Sequence, residues 1–180
     1  MISKELRYNL LPQMLEYDRI EYHWLPFVMF SQTPNYRSAI LNTDSRGFRF
    51  NSIELLKDRT IFKEDQNKET ILVLGGSAVF GVGATSDNKT ITGNLSNHKV
   101  NYLNLGGRAH IGFQELISIF SNINKLNNIK KIIIISGSND FYNMDNFSSK
   151  YPDDFFFESF FHDSINKSNL SLKKKFFKNI

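Results

Sequence analysis

The stretch Ile71-Leu72-Val73-Leu74-Gly75-Gly76-Ser77 decides how this sequence is interpreted. Four consecutive apolar residues predict a strand that is covered on both faces, as in a parallel sheet, rather than a half-exposed strand of alternating polarity. The two glycines allow a sharp turn and a close approach of the backbone to a ligand. Because ligands bind at the carboxyl edge of open α/β sheets, Ser77 is a candidate nucleophile.

Two more strands of this kind are predicted further along the chain. Val100–Leu103 is a short one, and Lys131-Ile132-Ile133-Ile134-Ile135 is the clearest, which we expect to be buried on both faces. Helix-length segments separate the strands, one beginning near Asp87 as N-cap and one with Phe113, Leu116, Ile117 and Phe120 on one face. Such crossovers predict parallel pairing. The expected class is a three-layer α/β/α fold with a parallel, flavodoxin-like sheet.

The change of pattern near residue 70 predicts two regions. Residues 1–69 are expected to form an N-terminal helical and aromatic extension packed on the core, and residues 70–180 the α/β domain. In the extension, residues 2–17 have helical spacing interrupted by Pro12, Tyr22 and Trp24 are expected in the core, and residues 51–69 form a connection. Residues 153–161 are aromatic and acidic, which is compatible with a helix.

Composition excludes several classes of protein. The net charge of +4 comes from five lysines after residue 166. The rest of the chain has 17 basic and 18 acidic residues and is therefore nearly neutral, so we expect no nucleic-acid partner. There is no cysteine, which excludes thiolate metal sites and suits a cytoplasmic location. We see no secretory signal, no apolar run of about 18 residues that would span a membrane, and no metal-ligand spacing. We therefore expect neither metal nor cofactor.

The three strand ends carry three motifs, in the order Gly75-Gly76-Ser77, Asn104-Leu105-Gly106 and Gly137-Ser138-Asn139-Asp140. Over about residues 70–145 this set resembles the SGNH (GDSL-like) hydrolase superfamily. The resemblance implies that Ser77 is the nucleophile and that the Asn139 side-chain amide and a backbone N–H of the second motif bind the oxyanion. Gly106 is one candidate for that N–H, and Gly107 is a rival. Asn139 and Asp140 could instead only cap a helix.

This chemistry has a physical basis independent of the family. A serine hydroxyl needs an adjacent base, and the tetrahedral intermediate of ester cleavage needs preorganised donors for its oxyanion. The chain departs from the family pattern at Ala109, which stands where the second glycine of Asn-x-Gly-x-x-Gly falls. Alanine keeps its N–H, so Ala109 remains a candidate donor if its backbone angles permit.

The base is the second departure, because no Asp-x-x-His occurs. The histidines are His23, His98, His110 and His162. His162 is a weak candidate, since Ser159 stands three residues before it. The family fold usually has about five strands and three are visible here, so we expect the domain to be incomplete at its C-terminus.

We expect Gly76, Arg49 and Arg108 to contact substrate. Arg46 and Arg49 flank Gly47 in a turn that resembles the Asn-x-x-Gly-Phe-Arg turn of related bacterial sequences, and they either line the pocket or are surface charges. The predicted function is an SGNH-type hydrolase of an acyl or acetyl ester, with a small-molecule or carbohydrate substrate and a possible homo-oligomeric state. The alternatives are an inactive or truncated domain that binds carbohydrate or a partner, and a nucleotide-binding protein.

Overall fold

The computed structural model describes residues 3–25, 27–51, 69–96, 99–126 and 128–146. The chain divides into two compact units, Met1–Asn139 and Asp140–Ile180. The N-terminal extension thus belongs to the same unit as the predicted sheet, while the predicted 51–69 connection, the 153–161 helix and the basic tail lie almost wholly outside the described residues. Within those residues, no helix has the length and apolar character needed to cross a membrane.

The described residues form helices and strands in an α/β arrangement. The helices are α1 (Lys4–Leu10), α2 (Met14–Arg19), α3 (Ser77–Phe80), α4 (Ile91–Leu95), α5 (Gly112–Phe120) and α6 (Ser138–Asn146). The strands are β1 (Tyr22–Leu25), β2 (Met29–Gln32), β3 (Glu69–Gly75), β4 (Val100–Gly106) and β5 (Ile129–Ile135). Two 3₁₀ turns, Asp87–Lys89 and Ile123–Lys125, complete the set.

The three predicted strands are confirmed and form one parallel sheet in the order β4-β3-β5. Gly75 pairs with Gly106 on one side and with Ile135 on the other. The three strands therefore end in register, and the three motifs that follow them start at the same edge of the sheet. This alignment is what positions the candidate site.

Two apolar clusters hold the unit together. One lies on a face of the sheet and contains Phe48, Leu72, Leu74, Leu103, Leu105, Ile119 and Leu126. The other joins the N-terminal helices to α3 and contains Met14, Tyr17, Ile20, Leu41 and Phe80. Burial of each such side chain stabilises the fold by about 1.5–3 kcal/mol relative to exposure. The extension is thus packed against the region that carries the serine.

The aromatic segment after α2 is an antiparallel hairpin, in which Tyr22 pairs with Gln32 and Trp24 with Phe30. The prediction that Trp24 lies in the core is wrong, because 59% of its surface is exposed. Phe27 and Met29 in and beside its turn adopt φ values of +67° and +76°. These are glycine-like conformations at residues that give no sequence signal for a turn, which explains why the hairpin was not predicted.

The expectation that β5 is buried on both faces is also wrong. β5 exists as predicted, but Ile132, Ile134 and Ile135 are exposed, whereas β4 at the other edge of the described sheet is mostly buried. On α5 the apolar stripe Phe113, Leu116 and Phe120 is exposed. The opposite face is buried although it is polar, because tertiary hydrogen bonds hold it. Hydrophobic periodicity alone gives the wrong rotation for such a helix.

The helix predicted near Asp87 begins later. Asp87 lies in a 3₁₀ turn, and α4 starts at Ile91 with Thr90 as its N-cap, whose hydroxyl accepts from the Gly93 N–H at 3.0 Å. The Asp87 carboxylate instead accepts from Asn42 and from Arg49. The Asp87 side chain, predicted to cap the helix, instead forms an ion pair with Arg49.

Candidate active site

The structure brings the ends of all three parallel strands together around the Asn139 side chain. Asn139 Nδ2 donates to the backbone carbonyl of His110 at 2.7 Å. A Cβ built on Gly76 would lie 2.8 Å from the same nitrogen, so the amide lies directly on Gly76. Gly76 immediately precedes Ser77, and His110 follows Ala109. The predicted nucleophile and the predicted oxyanion donors are therefore neighbours.

Ser77 is the first residue of α3 and is half-buried. A four-residue helix has no stability of its own and leaves its terminal carbonyls without intrahelical partners. Asn104 Nδ2 donates to Val79 O at 2.8 Å, and Arg49 Nη1 donates to Phe80 O at 3.0 Å and to Gly81 O at 2.8 Å. Buried side chains from elsewhere in the chain thus fix the helix that presents the serine.

Three backbone N–H groups in and after the second motif could donate to the oxyanion, and the structure shows which of them already have an acceptor. The Gly106 N–H donates to Asn104 Oδ1 at 2.9 Å, and the Gly107 N–H donates to Gly75 O at 3.0 Å. Within the described part of the chain, the Ala109 N–H has no hydrogen-bond partner. Ala109 is therefore the donor that the geometry leaves available.

The glycines of the motifs have steric roles. A Cβ on Gly106 would lie 2.3 Å from the Phe80 backbone nitrogen, so Gly106 allows α3 to pack directly on β4. A Cβ on Gly107 would lie 2.2 Å from the His110 ring. Both distances are far shorter than a van der Waals contact. Gly106 thus positions the serine helix and does not donate to the site.

Arg49, expected to contact substrate, is fully buried. Its Nε donates to Asp87 Oδ1 at 2.8 Å, and its two terminal nitrogens donate to Tyr17 Oη, Phe80 O, Gly81 O and Ile40 O. Burial raises the pKa of Asp87, and the Arg49 charge works against that rise. The structure corrects the expected role: Arg49 joins the N-terminal region to α3.

Arg108 is also bound within the protein. Its Nη1 and Nη2 donate to Tyr17 O at 2.5 Å and Ile20 O at 2.7 Å, its Nε donates to Gln32 Oε1, and its guanidinium lies 4.5 Å from the centre of the Tyr22 ring. Burial lowers the pKa of Arg108. These contacts correct the expected substrate-binding role, because they tie the loop after β4 to the hairpin and leave Gly76 as the substrate-contact candidate.

The structure describes two of the four histidines, and neither is placed to act as the base for Ser77. His23 is exposed on β1. His110 is buried, and its Nε2 lies 3.0 Å from the Phe30 carbonyl, which can only accept, so this nitrogen carries the proton. Burial lowers the pKa of His110 to about 4. His98 and His162, the weak candidate for the base, lie outside the described residues.

Sequence reasoning missed a pair that supports the Asn139 loop. Glu115 on α5 is buried, and its Oε1 accepts from Ser136 Oγ at 2.8 Å, three residues before Asn139. Together with the His110 carbonyl, this bond ties the loop after β5 to the start of α5. No local pattern marks Glu115, since a glutamate on a helix is normally exposed.

No group of three or more His, Asp or Glu side chains suited to a metal ion occurs among the residues that the structure describes. The chain matches no protein-family model and no curated protein. The functional assignment therefore depends on the three motifs and on the geometry of the strand ends.

Proposed function

We propose that this chain is a serine hydrolase of the SGNH type that cleaves an acyl or acetyl ester. The observation that carries the proposal is the Asn139 amide, which lies on Gly76 beside Ser77 and is anchored to the His110 carbonyl. An amide nitrogen has two hydrogens. One is used by His110, and the other is available to an oxyanion next to the serine.

In the proposed reaction the Ser77 Oγ attacks the ester carbonyl carbon while a base takes the hydroxyl proton. The carbonyl oxygen becomes an oxyanion that accepts from the N–H groups of Ser77 and Ala109 and from Asn139 Nδ2. The C–O bond then breaks, and the base returns the proton to the leaving alcohol. Water hydrolyses the acyl-serine by the same steps in reverse. The base is unassigned.

The order β4-β3-β5 supports a doubly wound sheet, and we propose the three-layer, flavodoxin-like arrangement on that basis.

An O-acylated carbohydrate is the proposed substrate. The absence of cysteine from the sequence is compatible with a cytoplasmic site of action.

A fluorophosphonate probe tests the nucleophile directly, because it phosphorylates an activated serine. We expect the wild type to be labelled, Ser77→Ala to take no label, and Asn139→Ala to react about 10²–10³ times more slowly. Ser121→Ala removes an exposed serine after α5 and should be labelled like the wild type. A folded wild type that takes no label would contradict the proposal.

A second candidate function is a catalytically inactive SGNH-like domain that binds carbohydrate or a protein partner. The observation that favours it is the position of the two described histidines, one exposed on β1 and the other bonded to Phe30. This candidate predicts no fluorophosphonate labelling together with retained ligand binding, so the same assay separates the two functions.

A further inference from the structure

Helix α5 buries polar side chains and exposes apolar ones. Phe113, Leu116 and Phe120 are exposed. On the same helix Gln114 is fully buried, and Glu115 has only 2% of its surface exposed. Burial of a carboxyl group costs free energy unless hydrogen bonds compensate for the lost water. A buried acid is rarer in proteins than an exposed leucine, so the contacts of Glu115 are the informative feature of this helix.

The Glu115 side chain reaches the loop that follows β5. Its Oε1 accepts from Ser136 Oγ at 2.8 Å. Ser136 comes directly after Ile135, the last residue of β5, which pairs with Gly75 at the end of β3. The bond therefore lies at the carboxyl edge of the sheet, three residues before Asn139.

The segment from Ser136 to Asn139 contains a glycine that does not restrain it by packing. Gly137 has a φ of +104°, and a Cβ built on it would have no described atom within 4 Å. Glycine adopts such conformations freely. Among the described residues, two side-chain hydrogen bonds flank this glycine. Ser136 donates to Glu115 at 2.8 Å, and Asn139 donates to the His110 carbonyl at 2.7 Å.

The two acceptors of these bonds belong to one short stretch of chain. The Glu115 N–H donates to Ile111 O at 3.1 Å, which closes the first turn of α5 directly after His110. Gln114 braces this turn, since its Oε1 accepts from the Ile111 N–H at 3.2 Å and its Nε2 donates to Val28 O at 2.9 Å. The start of α5 therefore holds the loop after β5 at two points whose separation is fixed by the helix.

We propose that Glu115 is a positioning residue, which acts through Ser136 to hold the Asn139 amide where the oxyanion forms. This inference rests on the proposed function and extends it to a residue on α5. An oxyanion donor is effective because it is preorganised and needs no rearrangement when the charge develops. A small displacement of Asn139 therefore slows the reaction and leaves the binding of the neutral ester almost unchanged.

Ser136→Ala removes the donor of the bond at an exposed position, where the fold should tolerate the change. We expect kcat on p-nitrophenyl acetate to fall about tenfold and KM to change by less than about twofold, because the bond acts on the transition state. Ser121→Ala removes another exposed serine hydroxyl and should keep the wild-type values. Equal kcat values in Ser136→Ala and the wild type would overturn the proposal.

A double-mutant cycle tests whether Glu115 acts through Ser136. Glu115→Ala should lower kcat as much as Ser136→Ala does, and the double variant should show no further loss. Glu115→Gln keeps an acceptor oxygen and should recover most of the rate. If the losses multiply in the double variant, or if Glu115→Gln is as slow as Glu115→Ala, Glu115 only stabilises the fold and the proposal is wrong.

The Asn139 side-chain amide gives a readout that does not depend on catalysis. Its two N–H signals in a heteronuclear NMR spectrum are identified by their loss in Asn139→Ala. We expect the proton bonded to the His110 carbonyl to move towards the position of a free amide in Ser136→Ala and to stay in place in Ser121→Ala. An unmoved signal in Ser136→Ala would overturn the positioning role. A wild type without fluorophosphonate labelling contradicts the proposed function alone, and the NMR signal then decides this inference.

Discussion

At the scale of single residues, Ala109 has a φ of +60°, in the left-handed region that favours glycine. It stands where the resemblance places a glycine, and its backbone adopts a glycine-like conformation with an alanine side chain. This conformation costs an L-residue about 1–2 kcal/mol. The bonds from Arg108 to Gln32 and from His110 to Phe30 hold it in place.

Substitutions at Ala109 should show how much the positive φ of this residue affects the free energy of unfolding. Ala109→Gly removes the backbone strain of the folded protein, which stabilises it, but raises the conformational entropy of the unfolded chain, which destabilises it. Because the two effects oppose each other, the free energy of unfolding should stay within about 1 kcal/mol of the wild type. Ala109→Val places a β-branched residue at positive φ and should lose about 1–3 kcal/mol. Urea denaturation measures both, and a valine variant as stable as the wild type would show that the loop relaxes.

At the scale of elements, α3 depends on side chains outside it. The C-terminal carbonyls of this four-residue helix accept from Asn104 and Arg49, and Arg49 is paired with Asp87 in a region without solvent. Removing one member of a buried ion pair leaves the other charge uncompensated. The position of Ser77 is therefore set by contacts with residues far from it in sequence.

We expect Arg49→Ala to lower the free energy of unfolding by about 3–5 kcal/mol, because it leaves the Asp87 carboxylate buried and three backbone carbonyls without their donor. Arg19→Ala, an exposed arginine on α2, should change it by less than about 0.5 kcal/mol. Thermal and chemical unfolding of the three proteins give the comparison. Equal losses in the two variants would mean that the ion pair does not anchor α3.

At the scale of the whole molecule, His110 connects the hairpin to the sheet. Its ring bonds to Phe30 on β2 and packs on Gly107, and its carbonyl holds Asn139. Burial, opposed in part by the Phe30 carbonyl, lowers the pKa of His110 to about 4, whereas an unfolded histidine titrates at about 6.5. The native state therefore requires the neutral ring.

This difference makes stability depend on pH in a defined window. Between about pH 6.5 and 4 the unfolded chain binds a proton at His110 that the folded protein excludes, so stability falls as the pH is lowered, by about 3 kcal/mol in total. His110→Gln should flatten this part of the profile, while His23→Gln, at an exposed position, should keep the wild-type slope. Urea midpoints measured from pH 7 to 4 test it, and parallel profiles for wild type and His110→Gln would contradict it.

The elements that local pattern specifies were predicted, and those that depend on distant partners were not. The three parallel strands follow from apolar runs, which are typical of strands in a parallel sheet. The hairpin turn gave no signal because Phe27 and Met29 replace the glycine normal at positive φ. The rotation of α5 was missed because the bonds of Gln114 to Val28 and of Glu115 to Ser136 outweigh its apolar stripe.

The sequence by itself determined that an α/β sheet would bring Gly76-Ser77, the loop after Asn104 and Asn139 to one edge, because parallel strands that end in motifs must align those motifs. Only the tertiary structure decided which groups are free to act. Gly106, Arg49 and Arg108 are bonded within the protein, whereas the Asn139 amide lies against Gly76 and the Ala109 N–H has no hydrogen-bond partner among the described residues. Hydrogen-bond donors are assigned by the nearest acceptors, and those acceptors lie far apart in the sequence.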